Sequence, residues 1–231
     1  MEGLIVSHAR IDQLVSIVIP CFNAESYIEE CLDHLNDQIY PSTEIIVVDD
    51  ASTDRSVDRI QLWQTRRRFP RFTLLQLPRN VGFSGSLTTG LFMAHGEYIA
   101  IHDADDYSHP ERISMQVEFL MNHPHISMVG TNYMAFEDSD TGQQTPSNWL
   151  SYGEDIPMRY AIGEHCVSHP TILFRGSVFD RLGGLSRNMN GAEDYEFIAK
   201  CVSHGIGVEN LRETLYYYRS HTDQRSREFY E

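Results

Sequence analysis

"VSIVIPCFNAESYIEECLDHLNDQIYPSTEIIVVDD", residues 15–50, decides the fold. "VSIVI" (15–19) is a short apolar run of the kind found in a strand buried on both faces. The period then changes: Tyr27, Ile28, Cys31, Leu32 and Leu35 share one stripe of a helix. "EIIVV" (44–48) returns to a buried strand. A strand, a helix and a strand at this spacing imply two parallel strands joined by a crossover.

The same alternation continues. After Asp50, Ser52 or Thr53 is expected to cap a helix with Val57, Ile60 and Trp63 inside. "FTLLQL" (72–77) reads as a third strand, and "SGSLTTGLFMAHG" (84–96) as a weak helix ending at Gly96. "EYIAI" (97–101) is the fourth strand. Pro110 opens a helix through Met115, Phe119 and Leu120, and "ISMVG" (126–130) follows as another strand. Beyond about residue 137 the pattern loosens. "EDSDTGQQTPSNW" (137–149) reads as an exposed loop over the site, and a helix near 193–204 and a strand at "TLYYYR" close the chain. The fold class expected is α/β: one domain over 1–231, with a doubly wound, mostly parallel sheet and helices on both faces.

At 231 residues the chain suffices for one large domain with a sizeable core. Its formal net charge of −15 argues against a nucleic-acid partner, whose phosphates need a basic face. A nucleotide-sized ligand stays compatible, because a metal can supply positive charge. Cys21, Cys31, Cys166 and Cys201 show no ligand spacing and read as buried thiols of a reducing compartment. "MEGLIVSHARID" lacks a basic segment followed by a long apolar one, and no apolar stretch is long enough to span a membrane. The expected location is cytoplasmic; a partner or a lipid-linked substrate would account for peripheral attachment to the inner face of a membrane.

Open α/β sheets bind ligands beyond the carboxyl ends of their strands. Two acidic clusters occupy that position: Asp49-Asp50 after "EIIVV", and Asp103, Asp105 and Asp106 after "EYIAI". A solvated turn capped by aspartate would explain one such cluster. Two on one edge suit a divalent cation that offsets the repulsion. A third pair, Glu193-Asp194, starts a helix, where acidic residues also complement the dipole.

"VSIVIPCFNAESYIEECL", "EIIVVDDASTD", "NVGFSGSL", "GEYIAIHDADDYSHPERI", "GAEDYEF" and "YYRSHTDQRS" occur in this order. Together they resemble the family 2 inverting glycosyltransferases of GT-A fold, of the bacterial surface-polysaccharide type. The resemblance runs from about residue 15 to 225. It implies transfer of one sugar from a nucleotide-sugar donor, usually a UDP-sugar, to a glycan or lipid-linked saccharide acceptor, with Mn²⁺ or Mg²⁺. Residues from about 15 to 130 would then be the nucleotide-sugar-binding half and 131–231 the acceptor-side half.

Carried over by motif, Pro20 and Phe22 would line the base pocket, Asp50 would accept a hydrogen bond from the base, and Asp103 would approach the ribose or metal. Asp105 would be the main metal ligand, with Asp106 supporting it. His221 would lie near the diphosphate or metal, a surface histidine being the alternative. Asp194 would be the general base. Thr88-Thr89 replaces an Arg-Asn pair frequent in the family, and the QxxRW motif of processive synthases is missing, which favours single addition. Two other readings are a catalytically silent nucleotide- or glycan-binding domain of an assembly, and a sugar-phosphate nucleotidyltransferase. The glycine-rich basic signature of the latter is absent from "PCFNAES".

Overall fold

The computed structural model describes residues 9–138, 140–186, 189, 191–222 and 224–225. Residues 1–8, the start of the stretch read as having no leader, lie outside this set. β1 (Ile11–Cys21), α1 (Ile28–Asn36), β2 (Thr43–Asp49), α2 (Ser56–Arg67), β3 (Phe72–Gln76), α3 (Phe83–Met93) and β4 (Gly96–Ile101) alternate as the periodicity requires. These four strands pair with one another in parallel, in the order β3-β2-β1-β4. The chain winds outward from β1 to β3 and then crosses to β1's other side. That reversal opens a crevice beyond the carboxyl ends of β1 and β4, where such sheets take ligands.

Alternation along each strand builds two cores. Ile17, Ile19, Ile45 and Val47 pack under α1 and α2 with Trp63. Val18, Ile99 and Ile101 face the other way, with Leu87 and Leu91 of α3. Helices therefore cover both faces. All four cysteines are buried free thiols.

The second half comprises β5 (Tyr107–Ser108), α4 (Arg112–Asn122), β6 (Ile126–Glu137), β7 (Asp140–Pro146), α5 (Asp155–Ala161), a 3₁₀ turn at His169–Thr171, β8 (Leu173–Arg175), α6 (Gly176–Leu182), α7 (Glu193–Ser203) and β9 (Gly207–Ser220). β8 runs antiparallel between β4 and β6, β9 lies parallel to β6, and β5 is antiparallel to β9.

Four local expectations are corrected. The stretch 137–149 is not simply a loop: β7 turns back antiparallel onto β6. Its register comes from the hairpin return onto β6 rather than from an apolar face, so no alternating pattern announces it. Gly96 does not stop a helix. It opens β4, where a Cβ would lie 2.4 Å from the Leu14 carbonyl and 2.8 Å from Ser16 Oγ. Neither Ser52 nor Thr53 caps α2; Asp54 Oδ1 accepts from the Ser56 N–H (2.9 Å) and hydroxyl (2.6 Å). Pro110 lies two residues before α4 rather than in its first turn.

Candidate active site

The acidic loop after β4 is held from beneath by a buried arginine. Arg112 Nη2 donates to the Ile101 and Pro170 carbonyls (2.9 and 3.1 Å), and Nη1 donates to Ser108 Oγ (3.0 Å). The Ser108 hydroxyl donates on to His102 Nε2 (3.0 Å), and His102 Nδ1–H to the Asp103 carbonyl (2.7 Å). Burial, with Arg112's charge, pushes His102 down to about 3, so the ring stays neutral. The Tyr216 hydroxyl accepts from the Asp103 N–H (3.2 Å). A run of three carboxylates thus keeps a fixed shape because β4, α4 and β9 all grip its backbone.

The carboxylates have separate roles. Asp106 is buried, and its Oδ1 accepts from the Arg219 N–H at the end of β9 (2.7 Å). Burial, with Asp105 and Asp103 beside it, pushes Asp106 well above the ordinary range, against the pull of the Arg219 N–H and the Tyr216 hydroxyl. Asp105 is partly exposed and faces His221, with Nε2 at 2.9 Å from Oδ2. Asp103 rises to about 7, first through burial and then through the charge of Asp105. Opposing charge from Arg225 and Arg112 moderates that rise, and the negative charge of Asp194 adds to it.

Beside this loop, the ends of β1 and β2 frame an open ledge. His102 N–H donates to the Val18 carbonyl and Asp50 N–H to the Cys21 carbonyl. Polar groups two apart on a strand point to the same side, so the N–H that Pro20 lacks would face β4, whose pairing has ended at Val18. Proline is therefore tolerated there. Phe22, 49% exposed, presents a free ring face. Asp50 is buried; its oxygens accept from the Val81 and Gly82 N–H groups (2.7 and 2.8 Å), tying down the entry to α3. The two loops that rise from β1 and β2 are laced together. Asn23 N–H donates to Ser52 Oγ (2.9 Å), Thr53 N–H to Asn23 Oδ1 (2.8 Å), and Glu25 N–H to Asp54 Oδ2 (3.0 Å).

Asp194 sits in the first turn of α7. Its Oδ1 accepts from the Tyr195 N–H (2.7 Å), and its Oδ2 lies 3.6 Å from His165 Nε2. Burial alone would raise this carboxyl, but His165 and His169 outweigh it and hold the group down at about 2. Glu193 is buried and pairs with Arg225, whose guanidinium also lies 5.0 Å over the Phe83 ring. The charges on Asp194 and Arg225 both reach Asp103, so the end of α7 faces the acidic loop.

The structure brings Asp103, Asp105 and His221 together, with Asp194 facing them. It sets Pro20, Phe22 and Asp50 on the adjoining strand ends. Thr88 and Thr89 serve packing: Thr88 Oγ1 accepts from the Leu185 N–H (3.2 Å), and Thr89 donates to the Gly85 carbonyl (2.7 Å). Sequence reasoning missed Arg112, Arg219, Arg225 and His165. Arg112, Arg219 and Arg225 stand inside quoted motifs, though nothing in the motifs gave them a role; His165 stands outside all of them and gave no signal. A separate cleft of about 560 Å³, lined by Phe119, His123, Tyr152, Glu209 and Arg212 among others, contains none of these residues.

No group of three or more His, Cys, Asp or Glu side chains among the described residues converges closely enough to hold a metal unaided. Asp105 with His221 nevertheless fits a divalent cation that keeps water or phosphate oxygens as further ligands. The mutual repulsion that raises Asp103 and Asp106 is the charge such an ion relieves.

Residues 16–183 match the family model "Glycosyl transferase family 2". The chain is 33% identical to EpsE of Bacillus subtilis (strain 168), which carries a glycosyltransferase name, over 90% of this chain and 74% of EpsE. Among solved structures, residues 1–349 of Staphylococcus aureus TarS in complex with UDP-GlcNAc superpose with a TM-score of 0.78. The identity there is 23%, over 94% of this chain and 62% of that one. The mannosyltransferase PcManGT from Pyrobaculum calidifontis, in complex with GDP-Man and Mn²⁺, gives 0.68 at 22% identity, over 91% and 57%. The chain therefore spans about three-fifths of the solved chains it matches.

Proposed function

The chain belongs to glycosyl transferase family 2, and on that premise we propose an inverting transfer of one sugar from a UDP-sugar to a hydroxyl of a glycan or lipid-linked saccharide, with Mn²⁺ or Mg²⁺. The observation that carries this reading is Asp105 against His221 at the end of β4, within reach of the charge on Asp194 through Asp103. The complexes of TarS with UDP-GlcNAc and of PcManGT with GDP-Man and Mn²⁺ support a nucleotide sugar and a divalent cation.

Asp105 and His221 would hold the cation, which when bound neutralises charge on the departing diphosphate. Phe22 offers its open face to the base, Asp50 a lone pair to a base N–H, and Asp103 its carboxylate to the ribose. The acceptor oxygen attacks the anomeric carbon from the face opposite the diphosphate. The bond from that carbon to the diphosphate oxygen breaks, its electron pair leaves with the nucleotide, and the acceptor's proton passes to Asp194. A carboxylate held near 2 is ionised at every working pH. It takes the proton late, as attack makes the hydroxyl acidic. No helix among the described residues is long and apolar enough to cross a membrane. We assign the protein to the cytoplasm, with peripheral contact to the inner membrane face where the acceptor is lipid-linked.

Titration calorimetry with UDP, with and without Mn²⁺, tests the seat, and transfer assays test the base. Asp105→Asn should abolish the Mn²⁺-dependent part of UDP binding. Asp194→Asn should bind UDP normally and lose roughly 10²–10⁴-fold in transfer rate. Wild-type behaviour of Asp105→Asn moves the metal elsewhere; normal turnover of Asp194→Asn moves the base.

A further inference from the structure

His165 lies outside every quoted motif, yet its Nε2 stands 3.6 Å from Asp194 Oδ2. Its ring is fixed from behind. The Tyr160 oxygen accepts from the Cys166 backbone N–H, so its own proton points to His165 Nδ1, 2.8 Å away. Burial pushes the Tyr160 hydroxyl far above its ordinary range, so it remains a donor. With Nδ1 accepting, the proton of a neutral ring sits on Nε2, the atom turned to Asp194. Trp149 and Tyr195 flank the ring, with centroids at 5.4 and 5.8 Å.

We propose that His165 is a positioning residue for the transfer: backed by Tyr160, it presents Nε2–H to Asp194 and fixes which lone pairs of the carboxylate receive the acceptor's proton. The proposal rests on reading Asp194 as the base. Tyr195 N–H occupies one oxygen and His165 faces the other, so rotation of the carboxylate is opposed from both sides. The 3.6 Å gap exceeds hydrogen-bond length; catalytic contacts of this kind shorten once substrate is bound. The other charged or titratable groups that Asp194 feels are His169 on the 3₁₀ turn, Tyr160 on α5 and Asp103 on the acidic loop; the neighbouring Glu193 acts on His169. Arg225 is engaged by Glu193.

The test uses the full chain. Carboxyl ¹³C NMR, with Asp194 assigned through Asp194→Asn, should find Asp194 still ionised in the wild type at the lowest pH at which the fold survives, its midpoint being held down at about 2. In His165→Ala it should move toward the ordinary ~3.9, and His165→Gln, which restores an N–H donor, should return part of the way. UDP release from UDP-GlcNAc with Mn²⁺ should fall roughly 10–100-fold in His165→Ala, the range for loss of an orienting partner, at unchanged UDP affinity. Tyr160→Phe should give a smaller loss of the same sign. If UDP-GlcNAc does not turn over, the NMR titration alone decides. An Asp194 titration unmoved by His165→Ala overturns the proposal, and so does a loss of UDP affinity in that variant. Asp194→Asn with normal UDP release sinks the base reading itself, a different signature from failure at His165.

Discussion

Asp50 has two claims on one carboxylate. Each oxygen already accepts a backbone N–H, from Val81 and Gly82, and keeps a lone pair for a base N–H. Asp50→Ala should therefore do two things at once. It should erase a preference for UDP over CDP, because a buried acceptor rejects a base lacking the matching donor. It should also destabilise the fold by about 1–3 kcal/mol, since two N–H groups lose their partner. Calorimetry and urea unfolding separate these effects; equal affinity of the wild type for UDP and CDP would leave Asp50 only the loop. Residues of this kind differ in how readable they are. Asp103, Asp105 and Asp106 were legible because like charges packed after an apolar strand demand an explanation. His221 was legible only through its motif. Arg112 and Arg219 were not, because their partners are backbone carbonyls and carboxylates as far as 58, 114 and 189 positions away.

α3 looked weak because it is built of small residues, and the structure explains why they are small. A Cβ on Gly90 would lie 2.3 Å from Val18 Cγ1 and 3.1 Å from Val48 Cγ2, so the helix rides directly on β1 and β2. Gly90→Ala should gain up to ~1 kcal/mol in helix propensity. It should lose about 1–3 kcal/mol by overpacking, for a net loss of stability. Val18→Ala should be destabilising alone, yet less so in the presence of Gly90→Ala, because the new methyl fills the space. A double-mutant cycle in urea reads that coupling; additive effects would show that the helix simply shifts away. Elements with several turns or a long apolar run could be read from periodicity. β8 with three residues, and α5 and α6 with seven each, are too short for a period to show. The antiparallel entry of β8 was thus invisible, although the parallel block before it was plain.

Two neutral histidines in the interior give the molecule a common acid sensitivity. Burial pushes His102 to about 3 and His169 to about 4. In the unfolded chain both take up a proton near ~6.5, so the stability they contribute is complete above that pH. It declines as pH falls toward 4 and 3. Asp103, raised to about 7, acts in the opposite sense: it costs stability progressively as pH rises above the ordinary carboxylate range. That opposition cancels when a variant is compared with the wild type. His169→Gln should therefore lose less Tm than the wild type between pH 6.5 and 4, measured by calorimetry. Parallel curves for the two proteins would mean that the His169 ring is already charged in the native state.

The grip of β9 on the acidic loop also has a meaning in time. Arg219 N–H and His221 reach back 113 and 116 residues to Asp106 and Asp105. During synthesis the carboxylates leave the ribosome long before those partners exist, while β1 to β4 can already pair. A nascent chain should hence carry a formed parallel block beside an unfinished seat. On stalled ribosomes, fluorescent UDP with Mn²⁺ should bind chains exposed past residue 225 and ignore those exposed only to 205.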